Sequence, residues 1–239
     1  LRTNEPEPPA PVTEPEKTFE EVLDEHPVSI QVNGQWQTFP NAKAAEEASY
    51  EEYKANLRRN AKNFRITDEH LGEGGPKAKF QANVNAIRLL KELEAAGQQA
   101  SPEQQEVLSR YVGWGGLSDA FDPEKPAWAL EYAQLKELLT PEEYAAARSS
   151  TLNAHYTSPT VIQAIYEAVD RMGFETGNIL EPSMGVGNFF GMLPEKMRNS
   201  RLYGVELDPV SGRIAKQLYP KADITVGGFE TTDRRGFFD

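Results

Sequence analysis

Residues 178–191, NILEPSMGVGNFFG, decide the fold that the sequence predicts. A short apolar run, Ile179–Leu180, ends on Glu181, and Gly185 and Gly187 then precede a second apolar run. This order is typical of a buried strand, a tight glycine turn and the start of a helix. Glycine suits a turn in which the backbone approaches a ligand or adopts positive φ, and a helix start offers unpaired N–H groups. The stretch therefore predicts a nucleotide- or cofactor-binding turn.

A second strand with an acid at its end strengthens this interpretation. Residues 202–205 read as a strand that ends in Glu206, which lies 21 positions after Gly185. In open α/β sheets an acid about 20 residues past the glycines binds the ribose hydroxyls of a nucleotide. The alternative is a solvated carboxylate at a strand end. Because the glycine turn and the acid at Glu206 have the expected spacing, we favour the functional interpretation.

Composition limits the class of protein. The 239 residues carry a net charge of −12 and no cysteine, which excludes disulfides and thiolate metal sites. The acidic balance weakens a DNA-binding hypothesis without excluding a local basic face. The sequence has neither an apolar run of membrane-spanning length nor a leader, so we expect a cytoplasmic protein without a membrane partner. Because the chain begins at Leu1 and not at Met, we expect a fragment of a longer protein.

The first part of the chain divides into two predicted segments. Residues 1–27 are rich in Pro and Glu and predict a disordered linker. Residues 28–62 predict a small hairpin followed by a helix, with the hairpin turn at Asn33-Gly34. A basic cluster near the end of that helix is either a solvated face or a phosphate-contacting patch, and we favour the solvated face; its members are Lys54, Arg58, Arg59, Lys62 and Arg65.

Residues 63–150 predict a helical region, and residues 151–239 predict the part that contains the glycine turn. Trp114 lies among three glycines and is either a packing anchor or a surface for stacking a nucleobase; we favour packing. Pro159 predicts a helix start, with Thr157 or Ser158 as its cap. His155 has no neighbouring ligand set, so we interpret it as structural and predict no metal site.

The order of three motifs resembles the gamma-type adenine-specific DNA methyltransferases, which use S-adenosylmethionine. The motifs are a Tyr-Thr-Ser-Pro helix start, a Glu-Pro-x-x-Gly-x-Gly-x-Phe turn and a Gly-Val-Glu-Leu-Asp strand end. A longer match, including YVGWGG, LNAHYTSP and GFETTDRR, resembles the large methylase–helicase proteins of conjugative elements and phages. The resemblance implies an α/β chain: an N-terminal helical region followed by the first half of a Rossmann-like class I methyltransferase fold.

The resemblance also implies cofactor-binding roles, and S-adenosylmethionine is the implied cofactor. Tyr156 and Thr157 would hold its methionine end, Glu206 would bind its ribose hydroxyls, and Phe229 would contact its adenine. The turn around the cofactor would be formed by Glu181, Pro182, Gly185 and Gly187. In the family an acid precedes the aromatic residue that corresponds to Phe229. In this sequence that acid is absent or displaced to Glu230.

The family's catalytic Asn/Asp-Pro-Pro-Tyr/Phe segment is absent from the 239 residues, and Phe237–Asp239 resembles the start of the strand that precedes it. We therefore name no catalytic residue and expect this chain alone to bind cofactor without turning over. Since the first strand of a doubly wound sheet is central, we also expect it to form an exposed, aggregation-prone edge here.

The resemblance implies that the parent protein methylates the amino group of adenine in DNA. Its partners would be DNA and the further methyltransferase and helicase domains of the same parent chain. One alternative is a non-catalytic, methylase-like scaffold that positions DNA for an attached helicase. A second alternative is a methyltransferase that acts on RNA or protein.

Overall fold

The protein was described with a computed structural model, which covers residues 26–239 except Glu69, His155 and Arg234. Within the first helix the side chains of Lys54, Leu57, Arg58 and Arg59 are also left undescribed. Three sequence predictions therefore fall wholly or mostly outside the described residues. They concern the linker, the structural role of His155 and most of the basic cluster. The chain divides into two compact units, Leu1–Asn56 and Leu57–Asp239.

The described part of the first unit begins with an antiparallel hairpin. Strand β1, Val28–Val32, pairs with β2, Gln35–Phe39, so that Val32 faces Gln35 in the register. Asn33 and Gly34 have φ of 52° and 74°. Positive φ at both positions is what a two-residue turn of type I′ requires. The hairpin prediction is confirmed. Helix α1, Ala42–Asn60, follows, and the Asn41 side chain accepts a 2.8 Å hydrogen bond from the backbone N–H of Ala44.

The second unit begins with four helices that form the predicted helical region. They are α2, Pro76–Ala95; α3, Pro102–Ser109; α4, Ala129–Leu138; and α5, Pro141–Ser150. Helices α3 and α5 each begin with a capping box, Ser101 with Gln104 and Thr140 with Glu143. Such a box satisfies two backbone donors at a helix start, which explains why these helices begin at their prolines.

A parallel three-stranded sheet follows helix α6, Pro159–Arg171. Its strands are β3, Asn178–Glu181; β4, Arg201–Glu206; and β5, Asp223–Val226, in the order β3-β4-β5. The crossovers contain α7, Asn188–Gly191, and α8, Pro209–Leu218. The α/β prediction is therefore confirmed at the level of a mixed chain with a parallel sheet.

Helix α8 joins the helical region to the sheet. It packs against α2 and α3 on one side and against β5 on the other. Ile214 and Leu218 are buried along it. The Gln105 side chain also donates to the backbone carbonyl of Gln217, at 3.0 Å. The two predicted regions thus share one hydrophobic core.

Trp114 is a packing residue. Only 1% of its surface is exposed, and its ring makes edge-to-face contacts with Phe80, Tyr111 and Phe121. The expectation of a packing anchor is confirmed, because a ring that is 1% exposed and surrounded by three aromatic side chains offers no free face for stacking.

The last residues of the chain lie beside β3, which is an edge strand of the described sheet. The backbone N–H of Asp239 donates to the carbonyl of Asn178 at 3.1 Å, and the Asn178 side chain donates to the carbonyl of Phe237 at 2.9 Å. These contacts cover the first residue of β3.

Candidate functional site

The glycine turn follows β3 as the sequence predicts. Gly185 and Gly187 have φ of 56° and 86°, a region that side chains disfavour. The backbone N–H of Met184 donates to the carbonyl of Val205 at 3.0 Å, and that of Gly187 donates to the carbonyl of Met184 at 2.8 Å. The turn is therefore attached to the neighbouring strand and closed on itself.

Glu206 holds this turn from the end of β4. One carboxylate oxygen accepts from the backbone N–H of Gly185 at 2.6 Å, and the other accepts from the backbone N–H of Asp208 at 2.8 Å. Burial raises the pKa of Glu206, and these backbone hydrogen bonds partly oppose the rise. The carboxylate keeps further lone pairs with which it can accept hydrogen bonds from a ligand.

Tyr156 lies between two glycine backbones. A Cβ atom on Gly113 would come within 2.5 Å of the Tyr156 ring, and one on Gly185 would come within 2.7 Å. The Tyr156 and Ser211 hydroxyls lie 3.2 Å apart. Burial is the main reason that the pKa of Tyr156 is raised, so the phenol stays neutral. This side chain connects the helical region, the glycine turn and helix α8.

These elements enclose a cavity of about 590 Å³. Its walls come from the end of α5, the segment after it, the strand ends and the start of α8. Three of the lining residues are acidic, namely Glu181, Glu206 and Asp208, and none of the described lining residues is Lys or Arg. A positively charged ligand is favoured in such a site, whereas a phosphate group is repelled.

Glu181 is the acid most perturbed by this environment. Burial, together with the nearby Glu206, raises the pKa of Glu181 to about 7. Two carboxylates at the ends of adjacent parallel strands oppose each other's ionisation, and a cation between them relieves that repulsion. Carboxyl groups with perturbed pKa values cluster at functional sites, and Glu181 lies in a cavity.

Two buried polar atoms, both on residues that line the cavity, have no hydrogen-bond partner among the described residues. They are the Tyr111 hydroxyl and Oδ2 of Asp208. The other oxygen of Asp208 accepts a 2.7 Å hydrogen bond from the backbone N–H of Ser211 and so caps α8. Buried polar atoms are almost always paired in proteins, so these two indicate a position that a polar group occupies.

The structure brings together five of the eight residues that the sequence analysis names. Those that line the cavity are Tyr156, Thr157, Glu181, Gly185 and Glu206. Pro182 and Gly187 shape the turn but do not line the cavity, and a Cβ on Gly187 would come within 2.5 Å of the Tyr219 ring. Phe229 lies in a short 3-10 turn after β5, is 51% exposed and does not line the cavity.

Sequence reasoning missed the wall that the helical region supplies. Tyr111, Gly113, Ala146 and Ser150 line the cavity from segments far from the glycine turn in sequence. The unusual composition of residues 111–117 was the available signal, but it drew attention to Trp114, which is buried in the core.

Two other site classes find no support in the described part of the chain. Across those residues, no group of three or more His, Cys, Asp and Glu side chains is placed to hold a metal ion. Nor does any described helix combine the length and apolar character needed to cross a membrane.

Comparison with known proteins adds a sequence relationship to this geometry. Over 66 residues the chain is 42% identical to the Type II methyltransferase M.CvrRI of Paramecium bursaria Chlorella virus XZ-6E. Part of this chain is related to a methyltransferase. Over 159 residues it is 25% identical to the Defense against restriction protein B of Escherichia phage P1.

Both matches cover only a small share of the curated relative. The match to the methyltransferase covers 28% of this chain and 17% of that protein. The match to the phage protein covers 66% of this chain and 6% of that protein. No protein-family model and no solved structure matches the chain.

Proposed function

We propose that this chain is the S-adenosylmethionine-binding half of a Rossmann-like class I methyltransferase. The parent protein would transfer a methyl group to the amino group of adenine in DNA and would also carry helicase domains. The partial similarity to a type II methyltransferase supports the methyltransferase class. The adenine target rests on the resemblance in motif order, and the helicase association rests on the longer match that includes YVGWGG, LNAHYTSP and GFETTDRR.

The acidic cavity at the glycine turn is the observation that carries the proposal. Glycine turns after a first strand also bind dinucleotides, whose pyrophosphate needs a site free of like charge. Here three carboxyl groups line the cavity, with no Lys or Arg among the described lining residues. S-adenosylmethionine has a sulfonium, an ammonium and a carboxylate group, so its net charge is positive, and it has no phosphate. The three carboxyl groups therefore fit this cofactor better than they fit a dinucleotide.

The five cavity residues that the sequence analysis names have roles in this proposal. Glu206 accepts hydrogen bonds from the ribose of the cofactor while it holds the turn through Gly185. Glu181 faces the cationic part of the cofactor, and Tyr156 with Thr157 holds the methionine end. Phe229 has no assigned role, because it lies outside the cavity.

The cofactor supplies an electrophilic methyl group, and the residues of this chain bind and orient it. The Asn/Asp-Pro-Pro-Tyr/Phe segment that would orient the adenine amine does not occur in the 239 residues. We therefore expect the chain to bind S-adenosylmethionine and to show no methylation by itself.

Calorimetric titration of the chain with S-adenosylmethionine tests the proposal. We expect binding that Glu206→Ala weakens by about 1–3 kcal/mol, the range for leaving polar partners unpaired. Glu137→Gln, on an exposed position of α4, is the matched control and should bind as the parent chain does. NAD, which carries a pyrophosphate, should give no binding.

A folded chain that binds NAD but not S-adenosylmethionine would overturn the methyltransferase proposal. A folded chain that binds neither ligand, but binds DNA, would favour the non-catalytic scaffold instead.

A further inference from the structure

The helical region contributes a polar side chain to the floor of the cavity. Tyr111 follows α3 and is 1% exposed; its hydroxyl makes no hydrogen bond of good geometry among the described residues, although the Ser211 and Trp114 side chains lie near it. Oδ2 of Asp208, at the start of α8, is also buried and has no hydrogen-bond partner among the described residues. Both residues line the cavity.

Each member of the pair is held rigidly. The fully buried Asn83 side chain accepts from the backbone N–H of Val112 at 2.9 Å and donates to the carbonyl of Gly113 at 2.6 Å, which fixes the segment after Tyr111. The backbone N–H of Asp208 donates to Glu206, while Oδ1 of Asp208 caps α8. Rigid placement of this kind is expected of a preorganised binding position.

The chemistry of the two atoms selects the group that they can bind. A carboxylate oxygen only accepts hydrogen bonds, whereas a phenol both donates and accepts. Burial, followed by the negative charge of Asp208, raises the pKa of Tyr111, so its hydroxyl keeps its proton and can donate. A ligand hydroxyl can accept from Tyr111 and donate to Asp208, while an ammonium group cannot accept at all.

We propose that Tyr111 and Asp208 form a second hydroxyl-binding position beside Glu206, and that it holds one of the two ribose hydroxyls of the cofactor. The position rests on the proposed function, since that function supplies a ligand with a cis-diol. Glu206 and Asp208 are two residues apart, and the Glu206 carboxylate accepts from the backbone N–H of Asp208, so the two acids are close enough for each to receive one hydroxyl.

Calorimetry with S-adenosylhomocysteine and its 2′-deoxy and 3′-deoxy analogues tests this assignment. Tyr111→Phe should weaken binding of the intact ligand about 5- to 10-fold, as expected for one lost hydrogen bond. For one of the deoxy analogues the same variant should bind as well as the parent chain does, because the partner hydroxyl is already missing. This non-additivity is the decisive readout.

Three variants complete the design. Glu206→Gln reports on the proposed cofactor site itself. Tyr144→Phe removes another buried phenol, one that lies outside the cavity, and should leave affinity unchanged. Asp208→Asn keeps an oxygen that can cap α8. If Tyr111→Phe does not fold, Asp208→Asn can be compared with the parent chain on the same three ligands.

The outcomes separate the two proposals. In one outcome, Glu206→Gln weakens binding, but Tyr111→Phe and Asp208→Asn either have no effect or affect all three ligands equally. The proposed cofactor site is then supported. The pair then holds a buried water or serves stability alone, and the inference is overturned. If the folded parent chain binds none of the three ligands, the proposed function and this inference both fail.

Discussion

One carboxylate oxygen of Glu206 accepts a 2.6 Å hydrogen bond from the backbone N–H of Gly185. The acid that ends one strand thereby fixes the glycine turn that follows the neighbouring strand. A ligand that binds Glu206 therefore meets a turn that is already positioned, which lowers the entropy lost on binding.

Amide hydrogen exchange can detect this hydrogen bond directly. In Glu206→Ala we expect the Gly185 amide to exchange about tenfold faster, since a lost hydrogen bond of this kind is worth about 1–2 kcal/mol. The Met184 amide donates to Val205 instead and serves as the internal control. Equal acceleration of both amides would show that the whole turn opens, and would contradict a specific role for Glu206.

The stability of the protein should depend on pH through Glu181. Burial and the nearby Glu206 raise the pKa of Glu181 in the folded state to about 7, from 4.5. Between about pH 4.5 and pH 7, Glu181 therefore keeps its proton in the folded state but has lost it in the unfolded state. This contribution to stability is complete below about pH 4.5 and disappears as pH rises through 7. Urea unfolding from pH 5 to pH 8 should show a declining free energy of unfolding, and Glu181→Gln should remove that part of the decline.

Affinity for S-adenosylmethionine should change with pH in the opposite direction. A cationic ligand binds the ionised form of Glu181, so binding should strengthen by about tenfold between pH 6 and pH 8, as linkage to one proton requires. The Glu181→Gln variant should lose this dependence. Calorimetry in buffers of different ionisation enthalpy should also detect proton release on binding near pH 7. If the affinity of the parent chain did not change with pH, Glu181 would lie outside the part of the site that binds the cation.

A buried ion-pair cluster attaches α8 to the helical region. Glu143, 5% exposed, accepts from Lys91 at 2.8 Å and from Arg213 at 2.6 Å, and Arg213 also binds Glu94 through two nitrogens. Burial alone would raise the pKa of Glu143, but the hydrogen bonds from Lys91 and Arg213 outweigh it and hold the pKa at about 2.

We expect Glu143→Gln to lower the free energy of unfolding by about 1–3 kcal/mol, because the partly buried Lys91 loses its carboxylate partner and Arg213 keeps only Glu94. In the parent chain this stabilisation is present above about pH 4.5 and is lost as pH falls toward 2. Glu195→Gln, which breaks the exposed pair with Arg198, is the control and should cost about 0.5 kcal/mol or less. Similar losses for the two variants would argue against the importance of the buried cluster.

The two glycines that flank Tyr156 should tolerate no side chain. We expect Gly113→Ala and Gly185→Ala to destabilise the protein and to abolish cofactor binding, because each Cβ would overlap the Tyr156 ring. Gly116→Ala is the matched control: φ is +74°, with no atom within 4 Å of the added Cβ. That variant should show only the backbone strain, about 1–2 kcal/mol. If all three variants lose the same stability in thermal unfolding, the contact with Tyr156 has no special importance.

Local pattern was sufficient to predict the elements that carry the site. The strand ending in Glu181, the glycine turn and the strand ending in Glu206 depend on residues close together in sequence, and the structure has them at the predicted positions. The hairpin at Asn33-Gly34 was predictable for the same reason, because Asn and Gly are the residues that tolerate positive φ.

The sequence by itself thus determined an α/β chain with two acids and a glycine turn at the ends of adjacent parallel strands. Only the tertiary structure decided that Tyr111 and Gly113 complete the cavity, that Phe229 stays outside it, and that Glu181 has a pKa near 7. The reason is physical: burial and charge repulsion depend on which distant segments pack together through α8, and no local pattern in the chain encodes those distances.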